Sequence, residues 1–327
     1  LLDKFLDFLF DPRMPHNIIE TTMRARALQR LMDHAHLEKG CELFVTLTFD
    51  VEREYGSFPL ENHASNVKSF LSRIEGIEQN ATIFVEGSLV KEHSEALHSL
   101  EKKGIEIGLH GWQHELWGSK QWYLDDKPLQ PDQKATLLKA AFEDFQLSSL
   151  HRPTAFRAPN LVADESTIKL LESNGFQVDS SLPSHRGVAP IPQFPNGPSA
   201  IIRIPVSVEP TPLLDSKSFI PYYRFRVCNL KTAKQMRGEE LLDCVTRIAM
   251  CQEAFGFLPH LVMLSHSWEF FPPLVENRDY AYCSATNFEL LDSVVNSLSE
   301  SFAVKRVSMS DLGELIKQKQ QKGAQNQ

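Results

Sequence analysis

The stretch ELFVTLTFDVE, Glu42–Glu52, sets the reading of this chain. Its first eight residues, Glu42–Phe49, are rich in β-branched and aromatic side chains and read as a β-strand. The strand ends in two acids one residue apart, Asp50 and Glu52. On a strand, positions i and i+2 project to the same side, so both carboxylates would face one place at the strand's C-terminal end.

Downstream, helical and strand patterns alternate. A helical stretch covers 64–77, the strand ATIFVE covers Ala81–Glu86, and a helix covers 88–103. The strand IEIGLH (Ile105–His110) precedes a helix over 132–146, whose apolar residues recur at three- and four-residue spacing. A short strand, TAFRAP, leads to DESTIKLLESNG, where Asp164 is a start signal and Gly175 a stop signal for a helix. Then come strands FQVDSS and AIIRIPVSV, a helix over 239–254, strand HLVMLSH, a helix over 287–300, strand AVKRVSM and a helix over 311–319. Strands alternating with helices predict a parallel sheet. About seven or eight such units without a linker argue for a closed or nearly closed β/α barrel, with a doubly wound open sheet as the alternative.

Residues 1–40 read as a helical N-terminal extension, with a helix over 17–37, and 41–317 as the barrel. The opening LLDKFLDFLF suits an amphipathic helix packed on the body, or a membrane-surface anchor. Residues 318–327 form a polar tail expected to be disordered. The Pro-, Gly- and Ser-rich loop over 183–198 is long enough to wall a site.

Composition narrows the function. The 327 residues are 42% hydrophobic and 23% charged, enough to bury a large core. A formal charge of −8 without a basic patch argues against a nucleic-acid partner. No run approaches the ~20 apolar residues of a membrane span. No secretory signal is visible, which gives a cytoplasmic location as the expectation. The five cysteines contain no C-x-x-C, so neither a disulfide framework nor a thiolate zinc site is expected, and Cys244 and Cys251 read as buried helix residues.

In a β/α barrel the chemistry sits where strands end. Asp50 and Glu52 end the first strand, and His110 ends IEIGLH, followed by His114. Arg157 ends TAFRAP, Asp179 ends FQVDSS, and His266 ends HLVMLSH, followed by Trp268 and Glu269. Five strands thus deliver ionisable groups to one rim. Taken as a helical turn, His110 and His114 would face the same way, and two imidazoles with one carboxylate make an open zinc site. A second acid can then act as base and a further histidine as acid. Among the aromatics, Trp112 and Trp268 are the candidates for substrate contact and the others read as barrel packing.

At these residues the sequence resembles the polysaccharide deacetylase family, the NodB-homology or carbohydrate esterase family 4 domain. TFDVE stands where that family has its paired-acid motif, HGWQH resembles its histidine motif and FRAPN its arginine motif. VDSSL and LSHSWEF resemble its aspartate and last histidine motifs, all in family order across roughly Cys41–Lys317. The resemblance implies a deformed (β/α)7 barrel and a hydrolase that removes an N-acetyl group from an amino sugar in a glycan or glycan precursor. Glu52, His110 and His114 would bind a divalent metal, zinc by its ligand type. Asp50 would be the base toward a metal-bound water, with Arg157 supporting it. His266 would be the acid, with Asp179 paired to it. A backbone N–H after the first motif would help hold the oxyanion. One departure stands out: the family's usual second adjacent aspartate is replaced by Val51, and the next acid is Glu52. This spacing resembles a branch whose members include hydrolases of other C–N bonds. An amidohydrolase of a non-sugar substrate, or an inactive carbohydrate-binding protein, are therefore the alternatives.

Overall fold

The computed structural model describes residues 18–53, 60–76, 80–121, 123–182, 191–197, 200–215, 222–236, 238–273 and 280–325, together with Leu6. The opening amphipathic segment lies outside these residues apart from Leu6, as does most of the loop over 183–198.

The first strand, β1 (Glu42–Val51), is the axis of the fold. After Glu42 every residue of it is buried, as expected of a parallel strand covered on both faces. Its two faces differ. Leu43, Val45, Leu47, Phe49 and Val51 enter the large outer core beneath the helices. Thr46, Thr48 and Asp50 alternate with them and face inward.

β1 pairs in parallel with β2 (Thr82–Val85), β9 (His260–His266) and β10 (Ala303–Arg306). β9 runs beside Phe44–Asp50 along one edge. On the other edge β10 covers Glu42–Val45 and β2 covers Thr48–Val51. From β2 the sheet continues through β3 (Glu106–Leu109), β4 (Ala155–Phe156), β5 (Val178–Asp179) and β6 (Ile202–Arg203), all parallel. Eight strands form this curled sheet. Between β6 and β9 the chain stitches the gap with backbone bonds. Ser207 N donates to Val262 O at 3.0 Å, Cys228 N to Ser207 O at 2.8 Å, and Leu264 N to Cys228 O at 2.9 Å. This is the deformed β/α barrel of the NodB type that the sequence led us to expect.

Two features differ from the sequence reading. Strands β7 (Leu213–Asp215) and β8 (Tyr222–Arg224) form an antiparallel pair that the sequence pattern had not marked. The tail expected to be disordered is helical as far as Gln325, the last turns of a helix over Met309–Gln325. Its first turns bury Met309, Leu312 and Ile316 against Phe44, Phe84, Val178, Ile202 and Val262, closing the inner face of the sheet from below. Gly313 allows the close approach: a Cβ there would stand 2.7 Å from Val178 Cγ2. The Gln-, Lys- and Ala-rich continuation is polar but composed of good helix formers, so a packed start propagates through it. The N-terminal helix, Ile18–Met32, buries Leu28 and Met32 beside Cys251 of the helix Gly238–Ala254.

Candidate metal centre and acid–base pair

Asp50 stands at the centre of the rim because β1 does. Its Cα partners are Phe84 on β2 and His266 on β9. Arg157 follows β4 directly and is fully buried. It donates to Asp50 Oδ1 at 2.7 Å, to Thr48 Oγ1 at 2.8 Å and to Ser180 Oγ at 3.0 Å, with its guanidinium 4.3 Å above the Phe84 ring. Val51 turns outward into the core, which explains how an acid two residues beyond Asp50 returns to the same side.

Glu52 is buried at 1% exposure. Its Oε1 lies 3.1 Å from His110 Nε2 and 3.4 Å from His114 Nε2. His110 Nδ1 is 2.9 Å from the Arg157 carbonyl, which fixes the ring and aims Nε2 at Glu52 Oε1. The donor atoms of Glu52, His110 and His114 all lie within 4.8 Å of one another, and so do those of Asp50, Glu52 and His266. Two imidazoles and one carboxylate on one side, with the His110 ring held by the Arg157 carbonyl, fit a zinc-type divalent cation.

His110 and His114 do not occupy a helical turn, as had been assumed. Gly111 has φ +68° and His114 has φ +66°, both in the left-handed region. A non-glycine residue there is strained, and such strain gathers at functional sites. The turn brings the two rings to a centroid distance of 5.9 Å. At Gly111 the chain passes so close to Trp117 that a Cβ would meet its Nε1 at 2.6 Å.

The charges suit this arrangement. Burial pushes the Glu52 carboxyl up, but the positive charge of His266 and the hydrogen bonds from His110 and His114 outweigh it and hold it well below the ordinary range. Burial pulls His266 down, yet the carboxylates of Glu52, Glu269 and Asp50 outweigh that and raise it to about 9. His114 is likewise raised above its ordinary value, because Glu52 and Glu86 overcome its burial.

Three expected partnerships change. Asp179 does not pair with His266. Its Oδ2 accepts from Arg203 Nε at 2.8 Å and its Oδ1 from the Ser181 N–H at 3.2 Å and the Ser181 hydroxyl, so both oxygens are engaged. The carboxylate beside His266 is Glu269, whose Oε1 lies 3.4 Å from His266 Nδ1. Its Oε2 accepts the His266 backbone N–H at 2.9 Å, and Tyr282 donates to its Oε1 at 2.8 Å. The backbone N–H groups expected to face an oxyanion already have acceptors: Glu52 N reaches Ser267 Oγ at 3.4 Å, and Arg53 N reaches the Glu86 carboxyl. Nor is Trp268 an open platform for a sugar. It is 3% exposed, donates to Glu52 Oε2 at 3.1 Å and stacks on His266. Trp112 is half-buried and packs against Gly87, where a Cβ would stand 2.7 Å from its ring.

Glu86 is the residue that sequence reasoning passed over. The bond from Glu86 N to Val51 O, 3.2 Å, extends the β1–β2 ladder and sets Glu86 beside Glu52. Burial, reinforced by the Glu52 charge, raises its carboxyl to about 8. Its position two residues past the inward-facing Phe84 was the available signal.

Comparison with known proteins agrees with the motifs. The family profile described as Polysaccharide deacetylase matches residues 38–178, from the first strand to β5. Over that stretch, less than half of the chain, the sequence is similar to the polysaccharide deacetylase family. A peptidoglycan deacetylase-like protein of Gibberella zeae, FGM2, is 33% identical over 110 residues. That match covers 34% of this chain and 30% of the relative, so most of the relative's length has no counterpart in it. Among solved structures, a Mycobacterium smegmatis protein assigned to the polysaccharide deacetylases aligns with TM-score 0.56 at 18% identity, covering 87% of this chain and 93% of that one. Puue allantoinase aligns with TM-score 0.51 at 13% identity, covering 83% and 89%. Both likenesses are to the fold.

Proposed function

We propose that this chain is a metal-dependent hydrolase that removes an N-acetyl group from an amino sugar in a glycan or glycan precursor. The observation that carries this reading is one rim holding two complementary sets: Glu52, His110 and His114 as metal-type donors, with Asp50 and His266 side by side on adjacent strands. The family that residues 38–178 resemble makes N-acetylated glycans the first substrates to offer.

Glu52, His110 and His114 would hold the metal, and zinc suits the mixture of imidazole and carboxylate. Such an ion polarises the acyl oxygen and acidifies water at neutral pH. Asp50 takes one proton from the attacking water as the water oxygen bonds to the acetamide carbon. Arg157 keeps Asp50 in place through the 2.7 Å ion pair. His266 gives its proton to the nitrogen as the C–N bond breaks, so acetate and a free amine leave. The Glu52, Glu269 and Asp50 carboxylates around its ring all favour the protonated form that this role needs. Glu269, against its Nδ1, orients the ring.

The test joins metal content to product. Wild type dialysed after zinc loading is expected to retain one zinc per chain and to release acetate from N-acetylglucosamine oligomers. His110→Ala should lose the zinc. Asp50→Asn should keep it and lose turnover. Unchanged turnover in Asp50→Asn would sink the mechanism. Hydrolysis of non-sugar amides in place of acetate release would transfer the site to the other C–N substrates.

A further inference from the structure

Both donor sets contain Glu52, which leaves the job of each set open. A carboxylate shared in this way can chelate one ion with two oxygens or bridge two ions. We propose that Trp268 settles this by holding one Glu52 oxygen, making Glu52 a one-oxygen ligand and Trp268 the positioning residue of the metal centre. The inference rests on the metal-site reading above.

The geometry follows from the strand register. Asp50 and His266 are Cα partners across β1 and β9. Glu52 stands two residues beyond the first and Trp268 two residues beyond the second, so the register that pairs Asp50 with His266 carries over to their followers. The indole N–H donates to Glu52 Oε2 at 3.1 Å, while Oε1 faces His110 and His114 at 3.1 and 3.4 Å. An indole nitrogen can donate and cannot accept or ligate, so the oxygen it holds is turned from the ion. A glutamate has one more rotatable bond than the aspartate it replaces, and the indole removes that freedom.

Trp268 is itself fixed. It is 3% exposed, its ring stacks on His266 with centroids 4.9 Å apart at 21°, and it meets the Tyr280 ring edge-on at 5.7 Å. One side chain therefore touches both the ligand acid and the proton donor. With Oε2 held by the indole, Glu52 has one oxygen left for an ion, which leaves Asp50 and His266 as the acid–base pair. One metal position would follow, with Val51–Glu52 and Trp268 acting as a matched unit.

The experiment is a zinc titration with a competing chromophoric chelator on three proteins: wild type, Trp268→Phe, and a form with benzothienylalanine at 268. That isostere keeps the bicyclic ring and places sulfur where the N–H was. Wild type should bind one zinc. Both variants should bind about tenfold to hundredfold more weakly, as loss of a ligand's supporting hydrogen bond does. The metal-free isostere should melt within a few degrees of wild type, since it loses one buried hydrogen bond and keeps the packing, which separates positioning from general packing. Zinc affinity of the isostere within twofold of wild type would overturn the role of Trp268 and leave the metal site standing. Two zinc ions per wild-type chain would also overturn it. No zinc in wild type would overturn both this inference and the metal-dependent function beneath it.

Discussion

Arg157 offers the sharpest energetic test of the site. Its guanidinium is fully buried, and the Asp50 carboxylate it meets at 2.7 Å is 3% exposed. Arg157→Met keeps much of the aliphatic stem and removes the charge. Asp50 would then remain in the interior as a carboxylate without its cation. Breaking a buried pair from one side costs about 3–5 kcal/mol, because the surviving charge stays desolvated. The bonds to Thr48 and Ser180 at 2.8 and 3.0 Å are lost together with it. Asp50→Asn leaves the guanidinium without a counter-charge and should also destabilise, though the amide oxygen can still accept from it. The double variant removes both charges, and its cost should fall short of the sum of the singles by about 2 kcal/mol or more. Urea unfolding measures all four proteins, with a chelator present so that no bound cation substitutes for the arginine. The dependence on urea should keep the same slope, since the surface exposed on unfolding is unchanged. Arg157→Met within about 1 kcal/mol of wild type, or strict additivity of the two singles, would refute the claim that this pair holds the rim together.

Two further predictions concern pH. His260 is fully buried; its Nδ1 is 2.7 Å from Leu258 O and its Nε2 is 3.2 Å from Gln252 Nε2, an arrangement for the neutral ring. Burial lowers it to about 4, below an unfolded value of about 6.5, so the unfolded chain binds the proton more readily. Its contribution is complete above about pH 6.5 and lost as pH falls through about 4, worth about 3 kcal/mol. Urea midpoints of wild type and His260→Gln from pH 7 to 4 should show a shallower decline in the variant; parallel curves would contradict this. The second prediction separates Glu269 from Asp179. Glu269 helps raise His266, so Glu269→Gln should move the basic limb of kcat/KM for acetate release to lower pH. Asp179→Asn should leave that limb in place, and a shift there would reinstate Asp179 as the partner of His266.

What could be read from the sequence, and what could not, divides along a physical line. Asp50, Glu52, His110, Arg157, Asp179 and His266 were legible because each follows a run of strand-forming residues, and parallel strands bring all their C-terminal ends to one rim. That inference needs only the position of a residue along its own strand. It holds even for β4 and β5, which are two residues long. The choice of partner depends on lateral register and on side-chain reach, neither of which a strand's own pattern encodes. Asp179 is directly opposite Arg203 on β6 and takes it as partner, while His266 finds Glu269 three residues along its own chain. His114 depended on backbone dihedrals: the spacing looked helical, but Gly111 and His114 turn the chain left-handed. Trp268 shows the same limit from the other side. Its motif marked it for the site, and aromatic character suggested a surface for sugar. Only the pairing of Asp50 with His266 reveals that the indole reaches Glu52 instead. The replacement of an adjacent aspartate by Val51–Glu52 then has a structural counterpart on the neighbouring strand. Changing the acid without the indole should therefore weaken the centre.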